Sequence, residues 1–498
     1  MLIDNILLGL ATALQPTNLM WCFLGVFVGT LIGVIPGIGA LAAISMLFPL
    51  TFHLDPTAAL IMLAGIWYGT AYGGSTASIL LNLPGTPSSA VSCLDGYPMA
   101  KQGRAGIALF MCAMSSFVGG SIGILLMMTL SPIIIVYALK FGAPEYFALM
   151  LMGLVASCTI SSGSAAKALG MTALGILFGC VGMDKYTAAP RFDFGALSLY
   201  EGLGLVALAM GVFGIAELVS NIGLKRDAKV NMSDFTMRAM MPTREDVRRS
   251  IMPTLRGSGI GSFFGALPGV GPSIASFMSY AIEQKVSDRP QMFGKGAIEG
   301  ITAPEAANNA ADQTAFIPTM TMGLPGSPTM AIMLGALMIQ GIAPGPTLMT
   351  NHPDLFWGLV MSFWIGNLLL LIINIPMIGL WVRLLAVPYH LLYPSILVFI
   401  AIGAYSINNN VFDIWMVILF GVVGYLMRVL DLPAAPLILG FVLGPLMEEH
   451  FRRTMLISRG NLEIFMTRPI CAVIMAITLA LLLGKLWQVW RSRERAFA

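Results

Sequence analysis

Long apolar runs, separated by short polar stretches, extend along the chain from Leu19 to about Trp490. A hydrocarbon core about 30 Å thick requires roughly 20 apolar residues per helix, and the runs have that length. They do not alternate apolar and polar residues as barrel strands do, and "LLLLIINIPMIGLW" at Leu368–Trp381 is an example. The pattern predicts an all-α polytopic membrane protein with about 10–12 membrane segments.

Two pairs of matching motifs interrupt these runs. "GTLIGVIPGIG" at Gly29–Gly39 matches "GSFFGALPGVG" at Gly261–Gly271, 232 residues later. "NLPGTPSS" at Asn82–Ser89 matches "GLPGSPTM" at Gly323–Met330, 241 residues later. Two motifs in one order at nearly one spacing predict two homologous halves. We assign residues 1–224 to an N-terminal membrane repeat, 225–256 to a basic cytoplasmic connector and 257–498 to a C-terminal membrane repeat.

The basic residues predict that the two halves have opposite orientations, because loops rich in Lys and Arg stay in the cytoplasm. After the first motif, the loop Thr51–Thr57 has no Lys or Arg, whereas Gln284–Lys295 has three. After the second motif the bias reverses, since Tyr97–Gly106 has two and Gly341–Asp354 has none. Inverted-topology repeats of this kind are typical of secondary transporters.

The first motif predicts a re-entrant helical hairpin in each half. The segment 257–284 is flanked by Arg256 and Lys285, so both of its ends belong on the cytoplasmic side, and it is too short for two spans of about 20 residues. Two half-helices that turn at Pro268–Gly271 satisfy both conditions, and symmetry places the other tip at Val34–Gly39. The flanks of the second motif change side, which predicts a spanning helix unwound at its Leu-Pro-Gly sequence.

Four interruptions at membrane depth predict a shared polar cavity, because non-helical backbone is tolerated there only beside protein or water. Half-helix N-termini attract anions, and unwound carbonyl groups suit Na⁺. The expected substrate-binding residues are Pro36, Gly37, Gly39, Thr86, Ser88, Ser89, Pro268, Gly269, Gly271, Ser273, Ser327 and Thr329. The alternative is that Pro-Gly only kinks each helix and the hydroxyl groups only satisfy backbone.

The segment Ile298–Phe316 is polar where a membrane helix should be apolar. Polar residues inside the membrane are functional candidates by default. The expected cation-binding residues are Tyr72, Asn82, Asn308 and Asn309. Glu299 and Glu305 are expected nearer the cytoplasmic end, where capping a helix is an equally open role. Upstream, Thr243 is a candidate N-cap for a helix lying along the cytoplasmic surface, with a solvated basic loop as the alternative.

Composition excludes several classes of function. Charged residues make up 10% of the chain, against about a quarter in soluble proteins, and the net charge of +3 gives no case for nucleic-acid binding. The six cysteines form no CxxC pair, so neither a disulfide framework nor a metal site is expected. The N-terminus has no basic n-region, which predicts that the first segment is retained as an interfacial or spanning helix. No Walker loop, hydrolase elbow or His/Asp/Glu cluster is present, so we expect neither an enzyme nor an organic cofactor.

The motifs together carry a family resemblance that covers nearly the whole chain. Beside the two Pro-Gly-x-Gly signatures are "YGG" at Tyr72–Gly74, the "LPG" elements at Leu83 and Leu324, and "APEAANNA" at Ala303–Ala310. In this combination the chain resembles the TctA family, the large membrane subunit of tripartite tricarboxylate transporters. One departure is "ADQTA" at Ala311–Ala315, where we expect a glycine pair.

The resemblance implies a permease of the bacterial inner membrane that imports tricarboxylates or related organic acids. It implies coupling to Na⁺ or H⁺, an elevator motion, and two partners: a small membrane subunit (TctB-like) and a periplasmic substrate-binding protein (TctC-like). The alternatives are a carboxylate-selective channel, an ion-coupled carrier that needs no binding protein, and a membrane scaffold or receptor. A channel predicts a continuous polar stripe along several helices, whereas the polar residues here concentrate at the breaks.

Overall fold

A computed structural model describes residues 2–35, 39–160, 164–184, 186–221, 236–267, 271–385 and 389–497. The described chain is helical apart from turns and one short antiparallel strand pair. In the N-terminal half the elements are α1 (Leu2–Ala13), α2 (Pro16–Val34), α3 (Ala40–Leu47), α4 (Pro56–Leu81), α5 (Ser92–Met99), α6 (Ala105–Ala138), α7 (Ala143–Ile160), α8 (Ala165–Gly179), β1 (Gly182–Met183), β2 (Pro190–Arg191), α9 (Leu205–Ala209) and α10 (Ala216–Asn221).

The C-terminal half begins within a long helix that also includes the end of the connector. Its elements are α11 (Arg244–Gly265), α12 (Gly271–Val286), α13 (Glu299–Thr314), α14 (Phe316–Met322), α15 (Pro328–Ile339), α16 (Leu348–Asn351), α17 (Pro353–Asn374), α18 (Ile378–Leu384), α19 (Tyr389–Asn408), α20 (Val411–Val429), α21 (Ala434–Ile457), α22 (Ile464–Thr467) and α23 (Pro469–Phe497).

Four helical stretches of the described chain are long and apolar enough to cross a membrane: Pro16–Val34, Ser92–Ala138, Pro353–Asn374 and Val411–Val429. Shorter apolar helices accompany them, and many large hydrophobic side chains are exposed on the outer helices, as expected where lipid is the solvent. The prediction of an all-α polytopic membrane protein is confirmed at this level.

Both helices that carry the second motif are interrupted where the sequence predicts. α4 ends at Asn82, which has a left-handed backbone with φ 56°, and α14 ends at Gly323 with φ 70°. Left-handed residues are common helix C-caps because they turn the chain away from the helix axis. After each break a hydroxyl group starts the next helical turn: Thr86 accepts from Ser89 N (3.4 Å) and Ser327 from Met330 N (3.3 Å). Asn82 and Gly323 are 241 residues apart, as are Thr86 and Ser327, which is the spacing of the second motif.

In each half, glycines repeated at intervals of four residues lie at the contact between two helices. On α2, a Cβ atom at Gly29 would lie 2.5 Å from the backbone oxygen of Ile66 on α4. On α11, a Cβ atom at Gly261 would lie 2.1 Å from the backbone oxygen of Ala307 on α13. Glycines one turn before and after each of them make equivalent contacts. The absence of side chains therefore lets both helix pairs approach backbone to backbone.

Each half contributes a helix that packs onto the other half. α6 lies against α11 and α13, and α17 lies against α2 and α4. Gly119 on α6 allows this approach, since a Cβ atom there would be 2.2 Å from Ala306 O. The core is therefore built from crossed contributions of the two halves.

The end of the connector is the first part of α11 and is continuous with the apolar segment that follows it. Thr243 is the N-cap of α11, and its hydroxyl accepts from Asp246 N while the Asp246 carboxylate accepts from Thr243 N. The predicted N-cap is therefore confirmed and the solvated-loop alternative is wrong for residues 244–256, because α11 includes them and continues unbroken to Gly265. The pKa of Asp246 lies below its ordinary value: burial raises it, but hydrogen bonds from Arg104 and Thr243 lower it more.

α11 and α12 run antiparallel, so the chain returns to the end from which it came. Arg256 donates from Nε and Nη2 to the two carboxylate oxygens of Glu283, at 2.9 and 2.6 Å. This bidentate pair joins the middle of α11 to the last turn of α12.

The loops between helices gather in two groups. Arg104 and Gln102, from the basic loop of the first half, contact Asp246 of the connector and Lys295 of the second half, at 2.6 and 2.8 Å. In the other group Gln340 donates to Thr51 O at 3.1 Å, which joins the two loops that lack basic residues. Loops of like composition from the two halves are therefore neighbours.

Candidate functional site

The helical interruptions of the two halves lie against one another. α12, the second arm of the second hairpin, contacts the 3₁₀ turn Pro87–Ala90 that follows the first-half break, and α3 contacts α15, which follows the second-half break. Gly271 at the start of α12 has φ +73°, and a Cβ atom there would lie 3.7 Å from Ser327 Cβ. The structure thus brings together the sequence motifs from which the cavity was predicted.

Four residues of the expected substrate set, Pro36, Gly37, Pro268 and Gly269, lie outside the described residues. Gly39 is the N-cap residue of α3, and the space around its Cα is open, with no atom within 4 Å of a Cβ placed there.

At the first-half break, most hydroxyl groups are engaged within the protein. Ser89 Oγ donates to Thr86 O (2.9 Å) and accepts from Thr86 N (3.1 Å) and Ser78 Oγ (3.0 Å). Thr86 and Ser88 share a hydrogen bond of 3.1 Å between their hydroxyl oxygens. Ser89 therefore holds the unwound backbone in place, as the alternative reading of these motifs expects.

At the second-half break, two hydroxyl groups are uncommitted. Ser327 caps α15, but neither Thr329 nor Ser273 forms a side-chain hydrogen bond with any residue in the described ranges. Thr329 is 7% exposed, and Ser273 is half-buried on α12. Because its hydroxyl group has no protein partner in these ranges and is not among the fully buried atoms, Thr329 is the predicted residue best placed to donate to a ligand.

The four expected cation-binding residues do not form one site. The Tyr72 hydroxyl donates to Asn367 Oδ1 at 3.2 Å, which links α4 to α17, and Asn82 is exposed at the end of α4. Asn308 and Asn309 are buried together on α13, where Asn309 Nδ2 donates to Asn308 Oδ1 at 2.6 Å. The residues described contain no group of three or more His, Cys, Asp or Glu arranged to hold a metal ion.

Glu305 is the residue whose place the sequence did not predict. It does not cap a helix end: it lies in the second turn of α13 with no exposed surface, whereas Glu299 does begin the helix. Its carboxyl oxygens are contacted by Ser75 Oγ (2.8 Å), Ser92 Oγ, Ser116 Oγ (3.3 Å) and Asn308 Nδ2 (3.4 Å). The polarity of Ile298–Phe316 was the available signal, but only the fold shows that serines of three first-half helices meet it.

Discontinuous helices at matching positions of two halves are typical of membrane transporters. A model of the Tripartite tricarboxylate transporter TctA family matches residues 19–439, and the chain belongs to that family. It is therefore a transport protein of a family that comprises the large subunits of three-part transporters, and that family is not one of enzymes.

Two curated relatives come from Agrobacterium vitis. An "uncharacterized 52.8 kDa protein in TAR-I ttuC' 3'region" is 51% identical over 497 residues, which cover 100% of this chain and 99% of the relative. An "uncharacterized protein in TAR-II ttuC' 3'region" is 51% identical over 238 residues, which cover 48% of this chain and 98% of the relative. No solved structure matches the chain.

Proposed function

We propose that this chain is the permease subunit of a binding-protein-dependent secondary transporter of the bacterial inner membrane. It imports carboxylate anions, tricarboxylates or related organic acids, together with Na⁺ or H⁺. A TctC-like periplasmic protein delivers the substrate, and a TctB-like small membrane subunit completes the complex. Family membership supports the transport role and the three-part assembly.

The observation that carries the proposal is the meeting of the interrupted helices. The second arm of each hairpin lies beside the broken helix of the opposite half, α12 beside Pro87–Ala90 and α3 beside α15. Free N–H groups at the start of these helices attract an anion, and the uncommitted hydroxyl of Thr329 supplies a donor to a carboxylate.

Two features support inverted repeats with re-entrant hairpins. The Arg256–Glu283 pair brings together the two ends of the segment 257–284, as a hairpin that enters and leaves at one face requires. The basic loops of both halves lie together, as do the neutral loops, which is the arrangement that an inverted pair with cytoplasmic basic loops requires. An elevator motion would carry the hairpins and broken helices as a unit.

The test is uptake of labelled carboxylic acids by proteoliposomes that contain the assembled complex, with and without gradients of Na⁺ and H⁺. We expect saturable uptake that accumulates substrate only when an ion gradient is imposed and that requires the binding protein. Non-saturating flux that no gradient affects would favour the carboxylate-selective channel. Accumulation without the binding protein would favour the independent carrier.

A further inference from the structure

The buried carboxyl group of Glu305 has no role in the substrate site proposed above. Its hydrogen-bond partners come from four helices, namely Ser75 on α4, Ser92 on α5, Ser116 on α6 and Asn308 on α13. The three serines belong to the first half of the chain and the acid to the second. Such convergence of donors from separate elements on one carboxyl group is costly to assemble, which marks it as a built site.

The hydrogen bonds of Ser75 suit both protonation states of Glu305. The Ser75 hydroxyl has one proton and two acceptors within reach, Glu305 Oε1 at 2.8 Å and Ala71 O at 3.1 Å. When Glu305 is ionised, Ser75 donates to it. When Glu305 is protonated, Ser75 turns its proton to Ala71 O and accepts the proton of the carboxyl group. One hydroxyl rotation therefore satisfies the network in either state without movement of the backbone.

No positive charge compensates an ionised Glu305 in the described part of the chain. The titratable groups near enough to interact with it are Tyr72 on α4, Cys93 on α5, Cys112 on α6 and Asp312 on α13. None of them is positively charged, and removing a carboxylate from water without a compensating cation is unfavourable. The serine oxygens lie at hydrogen-bond distance from the carboxyl oxygens, so hydrogen bonds are the interactions that the protein offers this group.

A second buried acid lies two turns along the same face of α13. Asp312 is 2% exposed, and its Oδ1 atom has no hydrogen-bond partner in the described ranges. Two carboxyl groups on one buried face repel one another when both are ionised. The first half has no counterpart, because the spacing of the second motif matches Glu305 to Ala64 and Asp312 to Ala71.

The carboxyl group is directly connected to a helical interruption. Ser92 begins α5, immediately after the 3₁₀ turn Pro87–Ala90, so its hydrogen bond ties Glu305 to the helix that follows the first-half break. A change in the charge of Glu305 therefore acts on the backbone that borders the proposed substrate cavity.

We propose that Glu305 is a proton-binding site that couples transport to a proton gradient. The carboxylate takes up one proton from water on the outer side, moves with the substrate in the neutral form, and returns the proton to water on the inner side. The inference rests on the proposed function, and it selects H⁺ from the two coupling ions left open there.

The test compares the wild-type complex with Glu305→Gln in proteoliposomes. The amide is isosteric and cannot bind or release a proton; its oxygen can accept from Ser75 and Ser92, and its N–H group can donate to Ser116 Oγ. We expect Glu305→Gln to lose accumulation driven by a pH gradient but to keep exchange of labelled for unlabelled substrate at equal pH. Glu299→Gln is the matched control on the same helix, since Glu299 is paired with Arg249 near the surface at 3.3 Å, and it should keep both activities.

A second measurement detects the proton without transport. Infrared difference spectra of the purified complex between high and low pH should contain a carboxyl C=O band that Glu305→Gln removes and Glu299→Gln keeps. If the variant does not fold, Ser75→Ala should shift the pH at which this band appears. An unchanged band in Glu305→Gln, or wild-type accumulation that follows a Na⁺ gradient and ignores pH, overturns the proton site. A wild-type complex that transports no carboxylate under any gradient instead overturns the proposed function.

Discussion

At the scale of single residues, the hydroxyl groups beside the breaks differ in their hydrogen bonds, although all of them follow the same Pro-Gly pattern in the sequence. Ser89 and Thr86 are committed to backbone groups around the first break, whereas Thr329 has no partner in the described ranges. The sequence predicted that hydroxyl groups line the breaks, because Ser and Thr follow Pro-Gly there. The sequence does not distinguish hydroxyl groups that bond to the backbone from those that can bind a ligand. This distinction depends on the side-chain rotamer and on the conformation of the neighbouring turn.

The two candidate hydroxyls of the second break should respond differently to removal. Ser327→Ala removes the N-cap of α15 and should lower stability by about 1 kcal/mol, visible as a lower unfolding temperature in detergent. Thr329→Val should leave the unfolding temperature unchanged and raise the KM for carboxylate uptake, because only the ligand loses a hydrogen bond. Thr321→Val, which removes a hydroxyl bonded to Ile317 O on α14, is the control for general damage. Unaltered uptake by Thr329→Val would reject substrate contact through this group.

A second residue-scale prediction concerns Asp184, in the loop between α8 and α9. Its carboxylate accepts from the N–H groups of Thr187 and Tyr186 and pairs with Arg191 and Arg452. Backbone hydrogen bonds are the largest cause of its low pKa, about 2 instead of the ordinary 3.8. A lowered pKa contributes stability above the ordinary value, and this contribution is lost as the pH falls through 3.8 towards 2.

Asp184→Asn should therefore unfold at a lower temperature than the wild type at neutral pH. The difference should stay constant down to about pH 5 and disappear as the pH approaches 2. Asp193→Asn is the control in the same loop, since the Asp193 carboxylate forms no ion pair or side-chain hydrogen bond within the described ranges, and it should unfold at the wild-type temperature at neutral pH. A difference between wild type and Asp184→Asn that persists unchanged at the lowest pH would contradict the assignment.

At the scale of helices, the packing of α11 on α13 depends on glycines that bring the two backbones into contact. Gly261→Ala would place a methyl group 2.1 Å from Ala307 O and force the helices apart. Such overpacking typically costs about 1–3 kcal/mol, so the unfolding temperature and the monodisperse yield should fall. Gly259→Ala on the same helix meets no atom within 4 Å and should gain up to about 1 kcal/mol from helix propensity. Equal stability of the two variants would show that the close approach is unimportant.

The helices themselves were largely predictable from the chain, because apolar length and Pro-Gly breaks are local signals. α4 and α14 end at Asn82 and Gly323, within the motifs that predicted the breaks. The continuity of α11 through Thr243–Gly265 was not predicted. A change from charged to apolar residues normally marks a boundary, yet here one helix crosses it without interruption.

At the scale of the whole molecule, the inverted orientation of the halves stays a prediction, and cysteine labelling tests it. In a variant without the native cysteines, Lys101→Cys and Asp288→Cys should react with an impermeant maleimide only from the cytoplasmic side. His53→Cys and Thr347→Cys should react only from the periplasmic side. All four positions are exposed, so accessibility depends on the side alone. Labelling of Lys101→Cys and Asp288→Cys from opposite sides would exclude inverted repeats.

Contacts between side chains that are far apart in the sequence could not be predicted from the sequence pattern. Glu305 and Ser75 are 230 residues apart, and nothing in either neighbourhood indicates the other. Offsets between motifs predict which segments correspond, but contacts between non-corresponding segments, such as α6 with α13, arise only when both halves fold together.

The crossed packing of α6 and α17 has a consequence for biosynthesis. α6 emerges from the ribosome long before α11 and α13, the helices against which its Gly119 face packs. Until the second half is made, this small-residue face contacts lipid or an insertion factor instead of α11 and α13. We therefore expect the first half to complete its packing only after the second half is inserted, so that a chain stalled between the halves is an incompletely packed membrane intermediate.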